Sequence, residues 1–296
     1  MAHRLAGRVR AGLQAMREAH GSRYLTYRQR LVAAWRNRGL DYEILTFEEV
    51  RRRRTSETLF LIGSGPSVLR VSDEQWKYVD RHDSFGINFS FLLEHILTYH
   101  IMEDPKPRDA WLRKLLVDVL APRRERLRDT VWFISDRQPR RGIHPRYTPE
   151  LFPLRPRVLI YRFPGRLLLD CDRPFRAEDF ERSVRYRGTM SVALHFAISL
   201  GYRRIVLLGV DLHTPRHFFE GMEEMQAYVR NVSPDQLDDT RPFPVMIPRV
   251  GMFRPLDEYL YALNELHFSR KGIELYVGNR DNVLCPRIPY FSDWDE

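Results

Sequence analysis

The 296-residue chain has only two cysteines, Cys171 and Cys285, and no metal-ligand spacing around either. Two such distant thiols exclude a disulfide-stapled scaffold and a zinc ribbon, and they fit a reduced, cytoplasmic protein. No run of about 18 apolar residues occurs, so no helix is expected to span a membrane. No continuous apolar stretch follows the N-terminus, so a secretory signal is not expected. Lysine is scarce: Lys77, Lys106, Lys114 and Lys271 stand among 48 Lys and Arg residues, and arginine therefore carries the net charge of +9. Guanidinium groups pair with phosphate and carboxylate in a two-pronged way. The excess suits phosphorylated or acidic ligands or an anionic membrane surface, although codon composition produces the same bias. Aromatic-rich RNA-binding strands are missing, so no nucleic-acid partner is expected.

What is present is a globular chain, 43% hydrophobic, of a length that suits one large α/β domain with a small appendage. Residues 1–54 read as a basic helical extension. Leu5, Val9, Leu13 and Met16 recur at helical spacing between arginines, and amphipathic stretches follow over Tyr24 to Arg38 and Phe47 to Arg54. These helices pack on the domain edge or rest on acidic phospholipid headgroups, which would make the protein peripheral at the inner membrane. From residue 55 to 296 the pattern alternates. Short apolar runs at 58–62, 83–88, 98–102, 130–135, 157–161, 204–209 and 273–277 read as strands. Helical stretches at 72–81, 108–120, 189–200 and 255–270 lie between them. Residues 136–156 are rich in Pro and Arg and read as a loop. Residues 212–252, also rich in Pro and charge, read as an irregular lid. The expected fold is α/β, a Rossmann-like, doubly wound, mostly parallel sheet in a single domain.

In such a sheet, ligands bind beyond the carboxyl ends of the strands. Chemistry-bearing residues stand there. Gly63-Ser64-Gly65-Pro66-Ser67 follows the first apolar run, and glycines let backbone approach a ligand while N–H groups at a helix start attract phosphate. A plain tight turn has the same composition, and Leu69 stands where a full G-x-G-x-x-G would have its third glycine. Asn88 ends the next strand; its amide suits a ribose, a base edge or a sugar hydroxyl, or simply caps a turn. Arg185, Arg187 and Thr189 precede the clearest helix and suit a carboxylate or phosphate, with N-capping the plainer role for Thr189. Asp211, His213 and His217 follow the central strand. A loop histidine serves as a general base; the three together also have the chemistry of a divalent-ion site, though no DxD motif accompanies them. Asp211 has a structural alternative, bonding loop amides.

These segments in order resemble the bacterial sialyltransferases of glycosyltransferase family 42 and, beyond them, the MptE-like pterin diphosphokinases. The likeness rests on the strand with Gly63-Ser64-Gly65-Pro66-Ser67, on Gly86-Ile87-Asn88, and on the segment from Arg187 to Asp211, across residues 57–290. It implies a GT-A-like single Rossmann-like domain with a lid, working without a metal or other cofactor. The implied reaction is inverting transfer of sialic acid or a related acid sugar from a CMP-activated donor to a glycan acceptor, in cell-surface polysaccharide synthesis. Gly63, Ser64, Gly65, Pro66, Ser67 and Asn88 would hold the CMP-sugar, and Arg187, Thr189 and Met190 would face the sugar. The family has Asn where Ser64 stands and Ser where Met190 stands. His217 would be the general base, with His213 in the place of a lid tyrosine, Asp211 beside them, and Tyr228 a substitute for the missing tyrosine. The diphosphokinase alternative would use ATP and Mg²⁺, with Glu103, Asp104 and Asp211 as ligands. Both readings leave assembly as a homo-oligomer open.

Overall fold

A computed structural model describes residues 42–102, 110–135, 155–161, 174–182, 186, 188–214, 216–229 and 255–295. Among the described residues, eight strands form one sheet in the order β1-β6-β5-β4-β3-β2-β7-β8. They are β1 (Glu43–Ile44), β2 (Thr58–Ile62), β3 (Asp83–Ile87), β4 (Tyr99–Ile101), β5 (Val131–Ser135), β6 (Arg157–Tyr161), β7 (Arg204–Leu208) and β8 (Glu274–Val277). Every described pairing is parallel, more uniform than the mostly parallel sheet expected. From β2 the chain steps outward through β3, β4, β5 and β6, then returns to lay β7 on the other side of β2. The strand order therefore reverses between β2 and β7, and the crevice of a doubly wound sheet opens at that point.

The sequence forms these strands because they are covered on both faces. All five residues of β2 are buried. Leu59 and Leu61 enter one apolar cluster, and Phe60 and Ile62 enter the other. That alternation is the pleat of a central strand read in side chains. The first face is covered by α1 (Phe47–Arg51), α5 (Gly188–Leu200) and α7 (Leu256–Leu263). The second is covered by α2 (Asp73–Val79), α3 (Ala110–Leu120), α6 (Glu223–Val229) and the C-terminal Phe291 and Trp294. Helix α4 (Ala177–Arg182) packs through Phe180 on the first face. Local chemistry sets the helix ends. Ser72 and Gln75 form a capping box for α2, and Thr46 and Glu49 form one for α1. Helix α5 stops at Gly201, whose φ of 92° lies in the left-handed region that glycine tolerates.

Two expectations change. The described part of the expected N-terminal extension belongs to the sheet: β1 pairs with β6, and Leu45 and Val50 are buried in the first cluster. Residues 1–41, which carried the membrane reading, lie outside the described residues. The segment expected to be irregular from 212 onward holds a 3-10 turn, Phe218–Gly221, and helix α6. Phe218, Phe219 and Met225 bury there, and Tyr228 donates to Asp118 of α3 at 2.9 Å. Residues 230–252 of the expected lid lie outside the described residues, as do Cys171 and residues 136–154. No described helix is long and apolar enough to cross a membrane.

Candidate active site

Because β2, β3 and β7 run parallel and in register, with Ile62 level with Gly86 and Leu208, the residues after each emerge at one edge of the sheet. Gly63–Ser67, Asn88 and Gly209–His217 meet there. The two glycine-bearing turns interlock. Gly63 N–H donates to the Leu208 carbonyl at 2.7 Å and Gly65 N–H to the Gly209 carbonyl at 2.8 Å. A Cβ on Gly63 would stand 2.3 Å from the Gly209 oxygen, and one on Gly65 2.7 Å from Asp211 Oδ2. Glycine is required at both positions by contact with the neighbouring turn.

Most of the loop amides expected to bind phosphate, all but that of Ser64, are engaged within the chain. Besides Gly63 and Gly65, Ser67 N–H donates to Asp211 Oδ2 at 2.6 Å and Val68 N–H to the Gly65 carbonyl at 3.2 Å. Asp211 puts its own carboxylate where an anion was expected to sit, at the start of the 3-10 turn Pro66–Arg70. Its visible role is to brace the loop, which is the structural alternative left open by the sequence.

Asn88 carries φ of 52°, the left-handed region, at the end of β3. A non-glycine residue held there is uncommon, although Asn tolerates it better than most. The turn sits over His100 of β4, which is 1% exposed and packs on Trp132 with ring centroids 4.4 Å apart. Burial pushes the His100 imidazole down to about 3, so it is neutral in the folded protein.

His213 and His217 behave oppositely. His217 is 7% exposed, stacks on Phe219 at 5.0 Å and meets the edge of Phe89 at 5.1 Å. Its Nδ1 lies 3.0 Å from Ser64 Oγ, its backbone N–H donates to Glu220 at 2.9 Å, and Phe218 N–H donates to the Ser64 carbonyl at 2.9 Å. His217 thus pins the residue-217 turn to the glycine loop. His213 is exposed. The metal reading of Asp211, His213 and His217 does not hold: Asp211 and His217 are turned to Ser67 and Ser64. Among the described residues no group of three or more His, Cys, Asp or Glu is placed to hold a metal ion. Glu103 and Asp104 lie outside the described residues.

Thr189 and Met190 open α5. That helix ends at Leu200, and the Tyr202 hydroxyl just beyond it reaches Asp83 at the start of β3, so its first turn lies toward the carboxyl edge of the sheet. Thr189 is buried, and Met190 packs against the first apolar cluster, which gives it a core contact. Arg185 and Arg187 lie outside the described residues. Tyr228, expected as a substitute lid tyrosine, has its hydroxyl engaged by Asp118.

The sequence reading missed Arg70, Asp281 and Asn282. Asn282 is buried; it donates to the Val210 carbonyl at 3.1 Å and accepts from Leu284 N–H at 3.0 Å, tying the C-terminal segment to the floor of the site. Arg70 makes a two-pronged pair with Asp281, at 2.5 and 3.1 Å. Arg70 stands in the sequence as the last residue of the glycine loop's turn, but its partner is 211 residues away.

The fold is that of a Rossmann-like α/β protein whose strand order reverses between β2 and β7. No family model matches the chain, and no curated protein does. Solved structures similar to it are sialyltransferases. One is the monofunctional α-2,3-sialyltransferase Cst-I from Campylobacter jejuni: TM-score 0.45 and 16% identity, over 79% of this chain and 80% of that one. A second is the sialyltransferase CST-II with CMP: 0.46 and 16%, over 79% and 86%. A third is CstII from Campylobacter jejuni with the substrate analogue CMP-3FNeuAc: 0.40 and 15%, over 79% and 84%. The likeness is one of fold.

Proposed function

We propose that the chain is a glycosyltransferase that passes an acid sugar from a CMP-linked donor to a glycan acceptor. The observation that carries the reading is the meeting of Ser64, Asn88 and the 211–217 turn at the β2/β7 switch point. There, backbone geometry is specialised and one histidine is buried while the other is open. Asn88 would address the ribose or base with its amide. Ser64 has a second task beside the donor, holding His217 in one ring orientation. Thr189 and Arg187 would meet the sugar carboxylate.

The difference in burial between the histidines favours a general base other than the one the family resemblance implies. A base must reach the hydroxyl it deprotonates. His213, on the exposed turn, is the candidate: it would take the acceptor's proton as that oxygen attacks the anomeric carbon. The bond from that carbon to the phosphate oxygen breaks on the opposite face, CMP departs with the electron pair, and configuration inverts. His217 is then a positioning residue, and Asp211 braces the loop.

The test is a thermal-shift panel of CMP, UMP, GDP and ATP with and without Mg²⁺, followed by transfer assays on His213→Ala and His217→Ala. CMP should raise Tm without Mg²⁺. His213→Ala should lower turnover roughly 10²- to 10⁴-fold with CMP binding kept, while His217→Ala should lose CMP binding and turnover together. Stabilisation by ATP with Mg²⁺ and not by CMP would replace this reading with the diphosphokinase one.

A further inference from the structure

The engagement of the Gly63, Gly65, Ser67 and Val68 N–H groups within the chain leaves Ser64 N–H as the single loop amide with no bond inside the chain among the described residues, too little to meet the charge of a phosphate. A phosphorylated ligand at this edge needs its charge met by something else, and Asp211 adds a negative charge beside the loop. A cation stands at the other end of the same turn. The Arg70 guanidinium is carried on the last residue of the 3-10 turn that Pro66 begins, and its two prongs lie on Asp281 at 2.5 and 3.1 Å. Both side chains are solvent-exposed, Arg70 at 56% and Asp281 at 60%. An exposed pair of this kind holds its partners weakly. The planar fork that fits a carboxylate fits a phosphate equally well. The surroundings agree: Arg70 lies within electrostatic reach of Asp211 and Asp281 within reach of His213, and pairing with Arg70 holds the Asp281 carboxyl below its usual range.

We infer that Arg70 is the phosphate-binding residue of this site and that Asp281 is its resting counter-ion, displaced when a phosphorylated ligand enters. The inference rests on the nucleotide-binding reading above and adds to it the group that receives the charge. It gives the short C-terminal segment a function: Asn282 fixes that segment under Val210, and the neighbouring Asp281 competes with the ligand for one guanidinium. Competition makes the two residues act in opposite directions on affinity, which a merely structural ion pair does not.

The experiment is calorimetric titration of the full-length chain with CMP and, separately, with cytidine, in the wild type, Arg70→Ala and Asp281→Asn. Arg70→Ala should weaken CMP about 10- to 100-fold, as expected for loss of charge-assisted hydrogen bonds, and leave cytidine unchanged. Asp281→Asn should tighten CMP severalfold and leave cytidine unchanged. If the wild type binds CMP and Arg70→Ala binds it equally well, the inference fails and the reading of the site stands. If both substitutions weaken CMP alike, Asp281 is a brace and the displacement is wrong. If the wild type binds neither CMP nor cytidine, the nucleotide reading falls and this inference with it.

Discussion

The two edges of the sheet are built from similar residue types to opposite ends. At the amino edge, Asp83 is 2% exposed and accepts from Thr55 N–H at 2.9 Å, Thr55 Oγ1 at 2.7 Å, Ser56 N–H at 3.1 Å and the Tyr202 hydroxyl at 2.7 Å. Tyr202 in turn lies 3.2 Å from the Tyr99 hydroxyl, and burial pushes Tyr99 up to about 12 and Tyr202 further still. This is a closed network, and a fully satisfied buried network fixes one structure. At the carboxyl edge, Asp211 is half-buried and accepts from one amide. Asn88 and Gly209 sit at positive φ, and the ion pair beside them faces solvent. The amino edge holds the sheet together. The carboxyl edge keeps exposed, less fully bonded groups, which is why the proposed chemistry is assigned to it.

The same truncation at each edge breaks the comparison most directly. Asp83→Ala leaves the buried Tyr202 hydroxyl and the part-buried donors of Thr55 and Ser56 without their acceptor and should cost about 4 kcal/mol of stability in urea unfolding. A loss below about 1 kcal/mol would mean that the amino-edge network is not a lock. The next effect concerns His100, between the two edges. Its folded pKa of about 3 lies below the unfolded value of 6.5. As pH falls through 6.5 the unfolded chain takes up a proton that the folded chain refuses, so stability falls from there toward pH 3. By pH 4 the loss should reach about 3 kcal/mol. His195, lowered to about 4 by burial, adds to it. His100→Leu should flatten the stability–pH curve between 6.5 and 4, and an unchanged slope would show that His100 does not carry it. The smallest effect is at the carboxyl edge. Asp211→Ala should cost only about 1–2 kcal/mol, while hydrogen exchange at Ser67 quickens. A loss as large as that of Asp83→Ala would erase the distinction between the edges.

Much of the fold was legible because central parallel strands are buried on both sides and so read as unbroken apolar runs; β2, β5, β6 and β7 were found this way to within a residue. Strand β1 was not, because two residues give no periodicity. Helix α6 was hidden among the prolines and charges of its neighbours, although Met222, Met225 and Tyr228 recur at helical spacing. Gly63, Gly65 and Asp211 were legible as candidates, but their contacts were not. The loop reads as a phosphate cradle until a carboxylate from 144 residues away occupies it.

The sequence alone determined the α/β class, the position of the glycine loop after its strand, and the clustering of Asn88 and the 211–217 turn at strand ends, since burial and turn chemistry act over a few residues. Only the tertiary structure decided which of these groups are engaged. His217 against Ser64, Asp211 against Ser67 and Arg70 against Asp281 are pairings between distant segments, set when the sheet brings its carboxyl ends together. A hydrogen bond or an ion pair depends on geometry at the scale of an ångström, and no local pattern in the chain carries that information.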